Sequence, residues 1–289
     1  MYSNNKEIIL GAAQFGDSYG ISNNYIRLER ATIIKILLAA IKNGITKIDV
    51  SDSYFNSSIK KIIKKFNFEI CFKIPSIKTL NIEEIKEVIN SNMRHYKKIY
   101  SISIHSPKDL LLKKKIKQVI NYLNLLKKKK LIKKIGISIY NEKELYLATK
   151  IFNKKLDLIQ IPINLVDQRF AKKKIVKKIK DFKLEVHARS IFLQGLLLMK
   201  SKDKPKYFKR WDKEFITYDK LTIKKKKIMC LNFVKQLNFI NALVIGFLSP
   251  NQLNNIYLLE KKYKYVNLPK DINIRSDEIK LINPTKWKK

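Results

Sequence analysis

Glycine is scarce in this chain, seven in 289 residues. None of them falls into G-x-G-x-x-G or G-x-x-x-x-G-K-[ST], which disfavours a Rossmann dinucleotide domain and a P-loop nucleotide site. Cysteine is scarcer still. Cys71 and Cys230 lie far apart, with no C-x-x-C or Cys/His ligand spacing, so neither a disulfide framework nor a metal site is expected. No apolar run approaches the roughly 20 residues of a membrane helix, and the opening Met1–Glu7 carries neither a long apolar stretch nor a small-residue cleavage site. A soluble, cytoplasmic protein with no membrane partner is the expectation. Acidic residues are few as well, 24 against 62 basic, for a formal charge of +38 and a pI near 10.0.

Such a charge ordinarily points to nucleic acid or anionic membranes. Only seven of the 62 basic residues are arginine, however, and arginine is the residue whose forked geometry grips phosphates and bases. Lysine enriched together with Ile and Asn is what an AT-rich genome writes by default. Codon bias is therefore the expected origin of the charge, and no specific nucleic-acid partner follows from it. The runs Lys127–Lys130 and Lys224–Lys227 fall inside segments of apolar periodicity and read as solvated helix faces.

What is present is alternation. Short β-branched runs at about 8–13, 46–50, 69–74, 100–105, 134–139, 157–161, 184–190 and 242–246 are separated by helical periodicity near 29–43, 57–66, 82–96, 109–130, 142–153, 168–182, 219–237 and 250–262. Eight βα units in one chain of this length imply a single-domain α/β (β/α)₈ TIM barrel spanning 1–289. A connection at about 191–218 is long enough to be a lid or binding loop, and the tail after about 263 reads as a surface extension with an added helical turn. Gly11, Gly136 and Gly246 sit in or at the end of predicted strands, where a missing side chain permits close backbone approach to a ligand.

In such a barrel, polar residues at the C-terminal ends of different strands converge on one mouth. Asp49 stands near the end of strand 2, Tyr54 in the loop beyond it, Lys73 at the end of strand 3 and His105 at the end of strand 4. Reducing a carbonyl needs a hydride at carbon and a proton at oxygen. A tyrosine, with an ordinary pKa of about 10, becomes a useful acid near neutrality only beside a cation that favours its phenolate. Lys73 can supply that cation, Asp49 can balance a buried Lys73, and His105 can hydrogen-bond the substrate oxygen or share in proton transfer.

With these four in place the sequence resembles the aldo-keto reductase superfamily, whose pattern is Asp, Tyr five residues on, Lys after strand 3 and His after strand 4. The likeness extends over about residues 8–257. It includes Ile9-Leu-Gly-Ala-Ala-Gln-Phe-Gly16, Gly136-Ile-Ser138, Ile159-Gln-Ile-Pro-Ile-Asn164, Ala188-Arg-Ser-Ile-Phe-Leu-Gln-Gly-Leu-Leu197 and Val244-Ile-Gly246 with Ser249-Pro-Asn-Gln-Leu253. The resemblance implies NADPH or NADH as cofactor and a small carbonyl compound as substrate. It also implies that Ser138 and Gln160 bond the nicotinamide carboxamide, that Ser190 and Phe192 lie along the pyrophosphate, and that Gly246 and Gln252 border the adenosine phosphate.

The chain departs from the family pattern in several places. Arg189 stands where many members stack an aromatic ring on the nicotinamide, Ile139 where an Asn often follows Gly-Val-Ser, and Ile256 where an Asn often reads adenine. Tyr54 and Lys73 are only 19 residues apart, implying a trimmed second helix. The motif supplies no Arg or Lys for an NADP 2′-phosphate, Gln252 standing there instead. Discrimination between NADPH and NADH is therefore expected to be below about tenfold, or roughly 1.4 kcal/mol. Arg169 and Arg189 near the mouth point to an anionic or polyhydroxylated partner. The alternative reading is a non-catalytic barrel of the same family acting as a binding or regulatory subunit, and retention of all four chemical groups argues against it. Oligomeric state is not encoded in any feature of the sequence.

Overall fold

The computed structural model describes residues 6–16, 21, 27–54, 56–262 and 272–287. Eight strands run β1 Glu7–Gly11, β2 Lys47–Ser51, β3 Glu69–Ile74, β4 Ile99–Ile104, β5 Lys134–Ser138, β6 Leu158–Pro162, β7 Glu185–Arg189 and β8 Ala242–Ile245. Each pairs in parallel with its sequence neighbours, and β1 closes on β8. Helices α1 Arg30–Lys42, α2 Ser57–Lys64, α3 Ile82–His95, α4 Lys113–Lys128, α5 Glu142–Phe152, α6 Lys173–Asp181, α8 Ile223–Gln236 and α9 Pro250–Lys262 occupy the predicted helical segments. Asparagines mark several starts: Asn56, Asn81 and Asn141 accept from first-turn amides, and Asn81 forms a reciprocal capping box with Glu84.

Strand periodicity decides what faces where. Ile48, Val50, Phe72, Ile102, Ile104, Ile135, Ile137, Ile159, Ile161, Val186 and Leu243 belong to the large core between barrel and helices, whereas Ile9, Cys71 and Ala242 form a separate apolar cluster. The alternate residues of each strand therefore fill the barrel, and many are polar: Asp49, Lys73, Ser103, Ser138, Gln160, His187. Gly136 belongs to this interior set, where a Cβ would stand 2.4 Å from Ser103 Oγ and 2.9 Å from Leu158 Cδ2. Its glycine serves barrel packing rather than ligand approach.

At the N-terminal end a charged plug closes the barrel. The register of β3 and β4 shifts between Ile70 and Cys71, leaving Tyr100 as an extra residue. Its hydroxyl donates to both oxygens of Glu185 at 2.8 Å. His187 Nε2 lies 2.7 Å from Glu185 Oε1 and must be the donor, since a carboxylate only accepts. Burial pushes the Glu185 carboxyl up, but the bonds from His187 and Tyr100 and the charge of Lys134 win, and its pKa is held down at about 2. A carboxylate depressed in the fold stabilises it fully above the unfolded pKa, near 4.5, and loses that contribution as pH falls toward 2. Glu185→Gln should therefore flatten the pH dependence of the urea midpoint between about pH 4.5 and 2. The contribution removed is about 2 kcal/mol after allowance for partial exposure, and parallel curves for variant and wild type would contradict this.

Two sequence expectations need correction. The connection after β7 is no open loop: short 3₁₀ turns at Leu193–Leu198, Ser201–Asp203 and Lys206–Trp211 lead into helix α7, Asp212–Asp219. Its weak amphipathic pattern hid it, and burial of Phe208, Trp211, Phe215 and Tyr218 holds it in place. The tail is no mere surface extension either. Its helical turn α10, Ile279–Ile282, buries Leu281 and Ile282, while Trp211 Nε1 donates to Glu278 at 2.6 Å and Phe208 meets Trp287 edge-on. Residues 263–271 lie outside the described residues. Among the described residues no helix is long and apolar enough to cross a membrane.

Candidate active site

Parallel strands all end on one side of the barrel, so inward-facing residues at their C-terminal ends meet whatever their separation in sequence. Lys73 Nζ donates to Asp49 Oδ1 at 2.6 Å and to Gln160 Oε1 at 3.1 Å, and Gln160 Nε2 donates to Asp49 Oδ2 at 2.8 Å. The three side chains form a closed, buried ring of hydrogen bonds. Burial pulls the Lys73 ammonium toward neutrality, but attraction to Asp49 and Tyr54 and hydrogen bonds with both outweigh it, so its pKa stands well above the usual lysine value. Lys73 is thus a fixed cation at neutral pH.

Tyr54 and His105 sit beside it. Their rings meet edge-on with centroids 5.7 Å apart, and Lys73 Nζ lies 5.1 Å from the Tyr54 ring centroid. His105 follows directly on β4, its amide bonded to Ile74 O at 3.2 Å. Burial lowers its pKa to about 4, helped by the positive charges of Lys73 and Arg189 and opposed by Asp49. The imidazole is neutral at physiological pH. Its Nδ1 lies 3.5 Å from Ser51 Oγ, too long to lock the tautomer, so the ring can present an N–H to an incoming oxygen.

A cavity of about 360 Å³ opens from this group. Asp49, Tyr54, Lys73, Gln160 and Arg189 line one part of it. Ser190, Phe192, Gly246 and Gln252 line the rest, together with Gln14, Met199, Lys227 and Ile256. Of the sequence-selected residues, His105 and Ser138 are not in that wall; Ser138 is buried at the end of β5 opposite Gln160.

Beyond β7 the wall has an unusual backbone. Ser190, Leu193 and Gln194 have φ of 59°, 46° and 52°, left-handed values rare outside glycine. They fold Ser190–Gly195 into tight turns, Leu193 N donating to Ser190 O and Gly195 N to Phe192 O, that bring Ser190, Ile191, Phe192, Gln194 and Gly195 to the cavity. Asn164 Nδ2 holds its first carbonyl, Ser190 O, at 2.9 Å.

Other assignments change on inspection of their partners. A Cβ on Gly246 would fall 1.6 Å from Gln14 Oε1, so this glycine makes room for a side chain of the protein. Gln252 caps its own helix: its Oε1 accepts from Leu248 N at 2.9 Å, and its amide donates to Ser249 Oγ at 3.2 Å. Arg169 is closed on Asp167 by two 2.8 Å bonds and offers no fork to a ligand. Lys226, read as part of a solvated face, is 1% exposed, and Lys227 reaches the cavity. No signal marked Lys227 in a sequence so rich in lysine.

The aldo/keto reductase family model matches residues 7–263. Among solved structures, a glycerol dehydrogenase from Gluconobacter oxydans is 17% identical, with a TM-score of 0.61, covering 91% of this chain and 94% of that one. The holo form of an aldo-keto reductase from Bacillus halodurans is 14% identical, with a TM-score of 0.69, covering 93% and 90%. No curated protein matches this chain in sequence.

Proposed function

This chain belongs to the aldo/keto reductase family of oxidoreductases, and we propose that it reduces an aldehyde, ketone or sugar-like carbonyl with a nicotinamide dinucleotide, Tyr54 giving the proton. The observation that carries this reading is the Tyr54, Lys73, Asp49 and Gln160 assembly opening into a cavity whose wall also includes Ser190, Phe192 and Gln252.

The residues fit such a cofactor. The cavity continues from Tyr54 to the start of α9, and its wall includes the left-handed segment Ser190–Gly195. Gln160 would meet the carboxamide, Arg189 the neighbourhood of the ring, and Ser190 and Phe192 the pyrophosphate, with Lys227 and Ile256 at the adenosine end; Ser138 lies behind this wall, and Gly246, which makes room for Gln14, and Gln252, bonded to Leu248 N, support it. When bound, the reduced nicotinamide supplies a hydride to the carbonyl carbon. Tyr54 delivers its proton to the carbonyl oxygen, and Lys73 stabilises the phenolate left behind. Asp49 and Gln160 keep Lys73 aimed and charged. Neutral His105 orients the carbonyl oxygen by a hydrogen bond.

Lys227 alters the cofactor expectation. It lines the cavity beside Gln252 and Ile256 and has no carboxylate partner among the described residues. A point cation there suits the NADP 2′-phosphate, so NADPH is the expected cofactor in place of weak discrimination. Fluorescence titration of purified protein should show NADPH binding more than about tenfold tighter than NADH, with Lys227→Gln removing about tenfold for NADPH alone. Equal loss for both cofactors would remove Lys227 from this role. Binding of neither, followed by silence on a panel of carbonyl compounds, would end the proposed function.

A further inference from the structure

We infer that Arg189 makes the site discriminate between the two redox forms of the nicotinamide, holding the reduced form tightly and releasing the oxidised one. The inference rests on the nicotinamide reading above.

Arginine is rare here, seven residues in 289, so one in the cavity wall says more than any lysine. The two arginines near the mouth are in opposite states. Arg169 is bidentate on Asp167, Nε donating to Oδ1 and Nη2 to Oδ2, both at 2.8 Å. Arg189 has no carboxylate partner among the described residues. Its Nη2 donates to Ile139 O at 3.4 Å and its Nη1 to Ser190 Oγ at 3.5 Å, both long, and its guanidinium carbon lies 4.3 Å from the centre of the Tyr140 ring. The cation is held in place by a ring face and two weak bonds, uncompensated.

The charges around the mouth can be followed one by one. Lys73 and Asp49 cancel as a 2.6 Å pair, and His105 is neutral. Arg189 is left as one net positive charge, and a guanidinium does not shed its proton in a protein. In the reduction, two electrons and a proton leave the dihydronicotinamide as hydride for the carbonyl carbon, and the Tyr54 proton goes to the carbonyl oxygen. The ring, neutral before, is left with one positive charge, and Tyr54 with a negative charge facing Lys73. Hydride transfer requires the ring to touch the carbonyl that Tyr54 protonates, so a bound ring would stand in the cavity that Tyr54 and Arg189 both line. Like charges in a half-buried site repel with little screening. Arg189 therefore weakens binding of the oxidised form and leaves the uncharged reduced form unpenalised.

NADPH and NADP⁺ share every phosphate and differ at the ring, so Lys227 and the pyrophosphate segment contribute nearly equally to both. Dissociation constants for the two forms, measured by fluorescence and calorimetry at one ionic strength, isolate the charge at the ring. Wild-type protein should bind NADPH at least about tenfold tighter than NADP⁺, which places the bound two-electron couple about 30 mV above the free one. Arg189→Gln should lower that ratio by about tenfold, and Arg189→Lys should keep most of it. A second neutral variant, Arg189→Met, decides the matter if Arg189→Gln does not fold. A wild-type ratio below tenfold, or a ratio unchanged in the neutral variants, overturns the inference. Wild-type protein that binds neither form refutes the cofactor reading itself, a distinguishable result.

Discussion

Tyr54→Phe should lower kcat by about 10²–10⁴ while leaving affinity for the proposed NADPH unchanged, because the substitution deletes one hydroxyl and nothing else. The ring that meets His105 edge-on remains. The binding surface assigned to the cofactor lies elsewhere, along Gln160, Ser190, Phe192 and the start of α9. Lys73→Met should reduce the rate comparably, since a phenolate would form with no cation beside it. It should also destabilise the fold, because Asp49 would keep a buried carboxylate with Gln160 as its remaining side-chain partner. Steady-state rates, cofactor titration and urea unfolding on the two variants separate these effects. A Tyr54→Phe enzyme with full activity would remove Tyr54 as the proton donor and give that role to His105.

The largest loss of stability is expected away from the mouth, at Asp219→Asn. Asp219 accepts from Lys204 Nζ at 2.5 Å and from Lys226 Nζ at 2.9 Å, and both lysine side chains are 1% exposed. Lys226 also donates to Met199 O at 2.7 Å. This cluster ties the connection after β7 to α8, and with it the part of the cavity wall formed by Leu198 and Met199. Burial lowers the Lys204 pKa even with Asp219 pulling it up and Lys226 pushing it further down. Removal of the one carboxylate strands two ammonium groups in the interior. A cost of about 3–5 kcal/mol should follow, read as a fall in urea midpoint at constant slope, accompanied by weaker NADPH binding as the wall loosens. Asp219→Asn combined with Lys204→Met should recover part of the stability. A single variant within about 1 kcal/mol of wild type would mean that the cluster is solvated in solution.

The order of the eight strands, and Asp49, Tyr54, Lys73 and His105 as a group, were legible in the sequence because the information is local. An apolar alternation of two and then of 3.6 says strand or helix within a dozen residues, and a barrel carries strand ends to one mouth whatever the chain does between them. The same alternation put Asp49, Lys73 and Gln160 on inward faces. It did not say that Gln160 would close a ring with the other two, because Gln160 is 111 residues from Asp49 and the bond depends on barrel closure.

The tertiary structure alone decided which charges are taken and which remain. Arg169 and Arg189 look alike in sequence. One is neutralised by Asp167, two residues before it, and the other faces the cavity without a carboxylate partner among the described residues. Lys226 and Lys227 are neighbours in one run, yet the first is buried on Asp219 and the second lines the cavity. In a chain whose 62 basic residues are nearly all lysine, residue type says almost nothing about role. Periodicity states which way a side chain points. Its partner depends on which distant element packs against it, and that is settled only when the barrel closes and its helices dock.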